Sequence, residues 1–261
     1  MSKQNKVAII TGSASGIGKA TALEFAKQSI HVVIADINLA NAQQAAADIE
    51  AETSMKTIAV KMDVTNEDEV IAAFETASDT FGHIDMVISN AGIQTICEFV
   101  NFDYTKWQQM IDIHLNGSFL VAREGMRHMI KQGTGGSIVL VGSVHSYEAS
   151  KNKAAYVTAK HALRGMNRAI AKEGAEHNIR CNLVAPGFVL TPLVKKQIPE
   201  QAQALGISEE DVIKNVMLGN TVDGEFTTEK DIADAILFFA NFETNALTGQ
   251  SMIASHGWHM A

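Results

Sequence analysis

Tyr156 and Lys160 stand four residues apart in AAYVTAKHAL, thirteen residues beyond Ser143. On a helix, positions i and i+4 share a face, so this phenol and this ammonium would address one space. An unperturbed phenol ionises near pH 10, too high for proton transfer around neutrality, and lowering it into that range takes about 4 kcal/mol. A fixed cation favours phenolate, so the spacing predicts a Tyr156 pKa depressed by Lys160. Ordinary amphipathic helices carry the same spacing, and the pair gains meaning only from what precedes it.

What precedes it is a glycine-rich turn. The first apolar run, VAIIT (7–11), leads into Gly12-Ser13-Ala14-Ser15-Gly16-Ile17-Gly18. The turn lacks the GxGxxG spacing, and Ser13 stands where a P-loop requires its first glycine. Glycines between a strand and a helix nonetheless let the backbone turn tightly and approach a pyrophosphate, whose charge a helix N-terminus stabilises. The alternative is a merely flexible turn. Asp36 closes the second run, VVIAD (32–36), about 20 residues further on, where a carboxylate accepts hydrogen bonds from an adenosine ribose and repels a 2′-phosphate. With Ile37 next and no Arg beside it, the expected cofactor is NAD rather than NADP. Otherwise Asp36 only caps the following turn.

Positioning these groups requires a scaffold, and the chain is patterned for one. Further short, Val- and Ile-rich runs occupy 57–64, 85–92, 137–143 and 179–187, as buried parallel strands should. Stretches with Ala, Leu and Glu or Gln at helical spacing, such as 19–28 and 39–52, lie between them. Alternation of this kind predicts an α/β doubly wound parallel sheet with helices on both faces, a single domain over 1–261. The segment 191–226 is helical without a strand, and is either decoration or a mobile lid over a pocket beyond the strand ends.

Composition removes other classes. The chain has 261 residues and a net charge of −8, which argues against nucleic-acid binding. Its two cysteines, Cys97 and Cys181, form no CxxC, so neither a disulfide framework nor a structural zinc site is expected. MSKQNK runs directly into the first strand, leaving no room for a signal peptide, and no apolar run approaches the ~20 residues of a membrane span. A reducing, cytoplasmic setting follows. Gly142-Ser143-Val144-His145 is not the GxSxG elbow of a serine hydrolase. His256 and His259 are the only close histidine pair, with no carboxylate neighbouring it, so no metal is expected.

The order of these motifs resembles the short-chain dehydrogenase/reductase family over essentially the whole chain. The matching elements are the TGSASGIG turn (11–18), Asp63-Val64, Asn90-Ala91-Gly92, Ser143, Tyr156-x-x-x-Lys160 and Pro186-Gly187. The resemblance implies that Tyr156 is the acid/base, that Ser143 bonds the reacting oxygen, and that Lys160 binds the nicotinamide ribose while depressing the tyrosine pKa. Gly12, Ser15, Gly16, Ile17, Gly18, Asp36, Asp63, Val64, Asn90, Val189 and Thr191, with Tyr156 and Lys160, would hold the cofactor. One position departs: His114 stands where the family usually places a proton-relay Asn. It either holds the lysine-linked water chain, its titration reshaping the pH profile, or simply packs.

Gln94, His145, Lys153, Gln197 and Gly257-Trp258, with the run 189–194, are further similar to the bacterial D-3-hydroxybutyrate dehydrogenases of that family. There the polar set grips a substrate carboxylate, a Lys and a His supplying positive charge, so that Gln94, Ser143, His145, Lys153, Tyr156, Gln197 and Trp258 would form the substrate site. Phe188 stands where such enzymes often carry a Trp, and it lacks the indole donor. A strand through Ser143 and His145 would put both on one face. The expected reaction is reversible NAD-dependent oxidation of (R)-3-hydroxybutyrate to acetoacetate, and the family resemblance implies a homotetramer. The rivals are another short-chain oxidoreductase acting on a polyol, sugar or 3-oxoacyl substrate, and a non-catalytic dinucleotide-sensing protein on the same fold.

Overall fold

In a computed structural model, which describes residues 5–260, each strand-like run pairs in parallel with its neighbours. The elements in order are β1 (Val7–Thr11), α1 (Gly16–Lys27), β2 (His31–Asp36), α2 (Leu39–Thr53), β3 (Thr57–Lys61), α3 (Glu67–Phe81), β4 (Met86–Ser89), α4 (Tyr104–Ile111), α5 (Gly117–Gln132), β5 (Gly136–Val141), α6 (Ala154–Gly174), β6 (Ile179–Pro186), α7 (Pro192–Leu205), α8 (Glu209–Asp211), α9 (Glu229–Asn241) and β7 (Ser251–Ala254). Among the described residues the sheet has seven strands in the order β3-β2-β1-β4-β5-β6-β7. Strand order reverses between β1 and β4, and a crevice at such a reversal is where doubly wound sheets bind ligands. The first four residues of MSKQNK lie outside the described set.

Two apolar cores follow from the strands' period of two. Val7, Ile9, Val33, Val87, Ile138, Leu140 and Leu183 face α3, α5 and α6, where Phe74, Val121 and Leu163 meet them. Ala8, Ile10, Val32, Ile34, Ile88, Val139 and Val184 face α1, α2 and α9, where Phe25, Ile49 and Ile236 meet them. Fully burying one such side chain contributes roughly 1.5–3 kcal/mol. Because both faces are covered, the strands read as continuous apolar runs instead of alternating ones.

The strands are shorter than their apolar runs at the end that carries the site. β4 stops at Ser89 because the N–H groups of Asn90 and Ala91 donate to Thr11 Oγ1, at 2.9 and 3.0 Å, instead of to a neighbouring strand. β5 stops at Val141 because Ser143 starts a capped 3₁₀ turn, Val144–Ser146. β7 has no counterpart among the apolar runs. It is four residues long and only partly buried, too brief for an unambiguous signal. No helix among the described residues is long and apolar enough to cross a membrane.

The segment after β6 has its own small core. Ile198, Val212, Met217 and Leu218 pack together with Phe188, Val194 and Phe226 against them.

Candidate active site

A cleft of ≈ 480 Å³ opens at the strand-order reversal. Gly12, Ser15, Gly16, Ile17, Asp36, Asp63, Val64, Asn90, Val189 and Thr191 line it, together with His114, Ser143, Tyr156 and Lys160. Gly18 lies beneath the turn instead of on the wall. A Cβ there would meet Gly12 O at 2.4 Å and Asn90 Nδ2 at 2.7 Å, so only glycine lets the first turn of α1 close against the loop. Gly12 and Gly16 both adopt positive φ, +62° and +57°, which a side chain would resist. Asn90 Nδ2 donates to Thr11 O at 2.9 Å and Gly12 O at 3.2 Å, fixing the turn from the far side of the crevice.

The cradle fits a dinucleotide on two observations. The side chains of Asn38, Asn66, Asp103, Thr191 and Thr228 cap α2, α3, α4, α7 and α9, whereas Ser15 makes no capping bond to α1. The first N–H groups of α1 therefore face the cleft uncapped by Ser15, beside glycines that let a phosphate approach. Asp36 is held at the rim by the N–H groups of Ala14 (3.1 Å) and Asn38 (3.0 Å), which leaves its remaining lone pairs for a ribose.

Tyr156 and Lys160 do share a face of α6, but their electrostatics differ from expectation. Lys160 Nζ sits 5.5 Å from the Tyr156 ring centroid and donates to Val141 O at 2.6 Å. Burial pushes this amine down to about 7, so its cation is too weakened to dominate the neighbouring phenol. Burial pushes the Tyr156 phenol up, opposed by a hydrogen bond with Ser143. The group that pulls the phenol down is the serine.

Ser143 and His145 meet through a turn, not a strand. Ser143 Oγ accepts the His145 N–H at 3.1 Å and lies 3.3 Å from His145 Nδ1, while His145 Nε2 lies 2.9 Å from Ser150 Oγ. The His145 ring meets the rings of Tyr156 and Trp258 edge-on, at 5.7 and 5.4 Å. Burial first, then the nearby Lys153 and His161, push His145 down to about 3. That leaves it neutral rather than the cation expected of it, with its ring nitrogens beside the Ser143 and Ser150 hydroxyls.

His114 is neutral for the same reason. It lies in a π turn, Asp112–Asn116, between α4 and α5, and burial with the charge of Lys160 pushes it down to about 3. Its Nε2–H donates to Ile93 O at 2.7 Å, and its ring stands edge-on to Tyr156 at 5.2 Å. Gly92 makes the room, since a Cβ there would sit 2.4 Å from His114 Cε1. A titration of His114 near neutrality, which would have reshaped the pH profile, is thereby removed.

Beyond the phenol lies a cluster of aromatic and polar side chains. Trp258 stacks on Phe188 at 5.1 Å with rings 5° apart, and Lys153 Nζ lies 4.7 Å over Phe188. Phe188 thus offers a π face where a Trp was expected to offer a donor. Lys153 is buried, makes no ion pair among the described residues, and is pushed by burial down to about 8. Gln197 is buried on α7, and Gln94 Oε1 is buried with no partner among the described residues.

Several contributors escaped the sequence. Thr11, Val141 and Ser150 act through backbone groups or one hydroxyl, which no spacing signals. Asp223 and Glu148 lie beside His256 and His259, giving that pair the carboxylate neighbours it lacks in sequence, one on each histidine.

Known proteins resemble this chain over nearly its whole length. Residues 6–202 match the short chain dehydrogenase family. D-beta-hydroxybutyrate dehydrogenase of Rhizobium meliloti is 36% identical over 97% of this chain and 98% of its own. The 3-oxoacyl-acyl-carrier-protein reductase of Thermotoga maritima is 35% identical over 96% of each chain. A crystal structure of a short-chain type dehydrogenase/reductase from Mycobacterium marinum superposes with a TM-score of 0.87 at 27% identity, covering 98% of this chain and 96% of the other.

Proposed function

The chain belongs to the short-chain dehydrogenase family, and on that premise we propose that it is an NAD-dependent dehydrogenase interconverting (R)-3-hydroxybutyrate and acetoacetate. One observation carries the substrate class: Lys153, a buried amine without a carboxylate partner among the described residues, set over Phe188 and beside the His145–Ser143 turn. Burying a cation is costly unless an anion compensates it, and a short hydroxy acid brings one. Gln94, Gln197 and neutral His145 supply the remaining hydrogen bonds, and Trp258 with Phe188 packs the methyl end.

Gly12, Ser15, Gly16, Ile17, Asp63, Val64, Asn90, Val189 and Thr191 would hold the dinucleotide along the cleft, with Gly18 underpinning the turn and Asp36 selecting NAD. When bound, the nicotinamide supplies the hydride acceptor. Ser143 Oγ holds the substrate oxygen, and Tyr156, once ionised, accepts the hydroxyl proton. Lys160 anchors the ribose, while His114 packs against the phenol edge. The segment 191–226 acts as the lid, within one domain spanning 1–261. A homotetramer in a cytoplasmic setting belongs to the same reading.

The test is NADH formation with D-3-hydroxybutyrate, its L-enantiomer and a panel of polyols and sugars, repeated with NADP. Turnover of the D-acid with NAD, at least tenfold above every other pairing, is expected for a site that orients by one charge-assisted contact. A polyol or an NADP pairing that matched it would sink the proposal.

A further inference from the structure

Trp258 lies in a hook at the C-terminus, and the hook is pinned on both sides of the indole. On one side, His256 Nδ1 meets Asp223 Oδ2 at 2.6 Å, and the Val222 N–H donates to His256 O at 2.9 Å. On the other, His259 Nδ1 meets Glu148 Oε1 at 2.5 Å, and its ring lies 5.1 Å from that of Tyr147. Tyr147 is itself covered by the Arg164 guanidinium at 3.9 Å. Within the hook, Ser255 accepts the N–H groups of Trp258 and His259, at 3.0 Å on its carbonyl and 3.3 Å on its hydroxyl.

The backbone between the pins is tight. His256 adopts φ +50°, a left-handed conformation unusual for a residue with a side chain. Such a residue persists only where its surroundings over-determine it, and here a side-chain hydrogen bond to Asp223 and a backbone bond both do. Gly257 follows at φ +71°, and a Cβ on it would meet Val222 Cγ1 at 2.7 Å. Neither pin touches the cluster described above. Asp223 lies in the trailing loop of the segment after β6, and Glu148 lies just past the Ser143 turn. The indole between them stacks on Phe188 and meets the His145 ring edge-on.

We propose that His256–Asp223 and His259–Glu148 are positioning pairs: they set Trp258 at the substrate site and tie it to the segment after β6 and to the Ser143 loop at once. The pairs act on substrate fit through the indole and have no part in proton or hydride transfer. The proposal deepens the hydroxy-acid reading and rests on it only for the kinetic arm of its test.

Asp223→Asn and Glu148→Gln keep shape and remove charge. In a Trp107→Phe background, which leaves Trp258 as the sole tryptophan, acrylamide quenching and fluorescence anisotropy report the indole directly. Each variant should make Trp258 more quenchable and raise the KM for D-3-hydroxybutyrate about threefold, the double variant about tenfold, with kcat within about twofold. Asp223→Glu should recover part of the loss. Unchanged quenching would overturn the proposal whatever the kinetics do. So would changed quenching with unchanged KM on an enzyme that oxidises the acid. If the enzyme without these changes fails to oxidise D-3-hydroxybutyrate, the functional reading falls, and the quenching arm with KM for the alcohol actually used still decides the pins. Should a variant lose its far-UV circular dichroism, the pins are part of the fold and the positioning role is refuted.

Discussion

The two halves of the cleft are made from different materials. Over β1 to β4 the wall is mostly backbone: glycines at positive φ, the start of α1, and the Thr11–Asn90 lock that ends a strand early. Over β5 to β7 it is mostly side chains, brought by the Ser143 turn, the start of α6, the loop after β6 and α7. A backbone cradle recognises what every dinucleotide shares and tolerates little change, because each of its atoms belongs also to the fold. A side-chain wall can be rewritten one residue at a time.

The comparison can be broken at four places. Tyr156→Phe removes the proposed proton acceptor between the halves and should lower kcat at least ~10²-fold in steady-state assays. Near-normal turnover would refute its role. Because burial pushes the phenol up, the wild-type oxidation rate should climb with pH as phenolate forms, and the variant should lack that limb.

Gly18→Ala attacks the backbone half. With a Cβ 2.4 Å from Gly12 O, the turn must shift, at about 1–3 kcal/mol of stability and a loss of NAD⁺ affinity of about tenfold or more by isothermal titration. A variant with full affinity would show that the cradle is softer than described.

Lys153→Met attacks the side-chain half. Binding of butyrate, which has the carboxylate but no reacting hydroxyl, should weaken about tenfold at pH 7, while NAD⁺ affinity stays put. Lys153 is protonated below about 8 and neutral above it, so the inhibition constant for butyrate should rise above that pH in the wild type and stay flat in the variant. The same lowered pKa has a stability consequence in the ligand-free protein. Between about 8 and the ordinary lysine value of 10.5 the unfolded chain binds more protons than the folded one, so stability rises with pH across that window.

The smallest effect belongs to His114→Asn. A neutral, packed imidazole contributes shape, and activity should remain within about tenfold with the pH profile between 5 and 9 unaltered. A change in the acid limb of that profile would mean that the imidazole titrates after all.

What was legible in the sequence follows the same division. The strand runs, the glycine turn and the Tyr156–Lys160 spacing are local, and the fold places them as their periodicities imply. Strand ends were not legible, because Thr11 Oγ1 and Ser143 Oγ take backbone donors that a strand would have used. Nor were the signs of the electrostatics. Lys160 beside Tyr156 reads as a strong cation in sequence, yet burial discharges much of it, and His145 reads as a cation until it is found buried, with Lys153 next to it. Local spacing reports direction; desolvation is a property of the assembled whole.

The segment after β6 closes on a nucleus of its own, Ile198, Val212, Met217 and Leu218, with Phe188 as its contact to the aromatic cluster. Its helices thus pack against one another as well as against the rest of the fold. Freezing a flexible strap over a molecule as small as a four-carbon acid would consume much of the little contact energy such a guest can offer. If the proposed substrate is right, a cover with its own packed nucleus would spare the guest that expense, leaving a few polar contacts and one stacked ring to hold it.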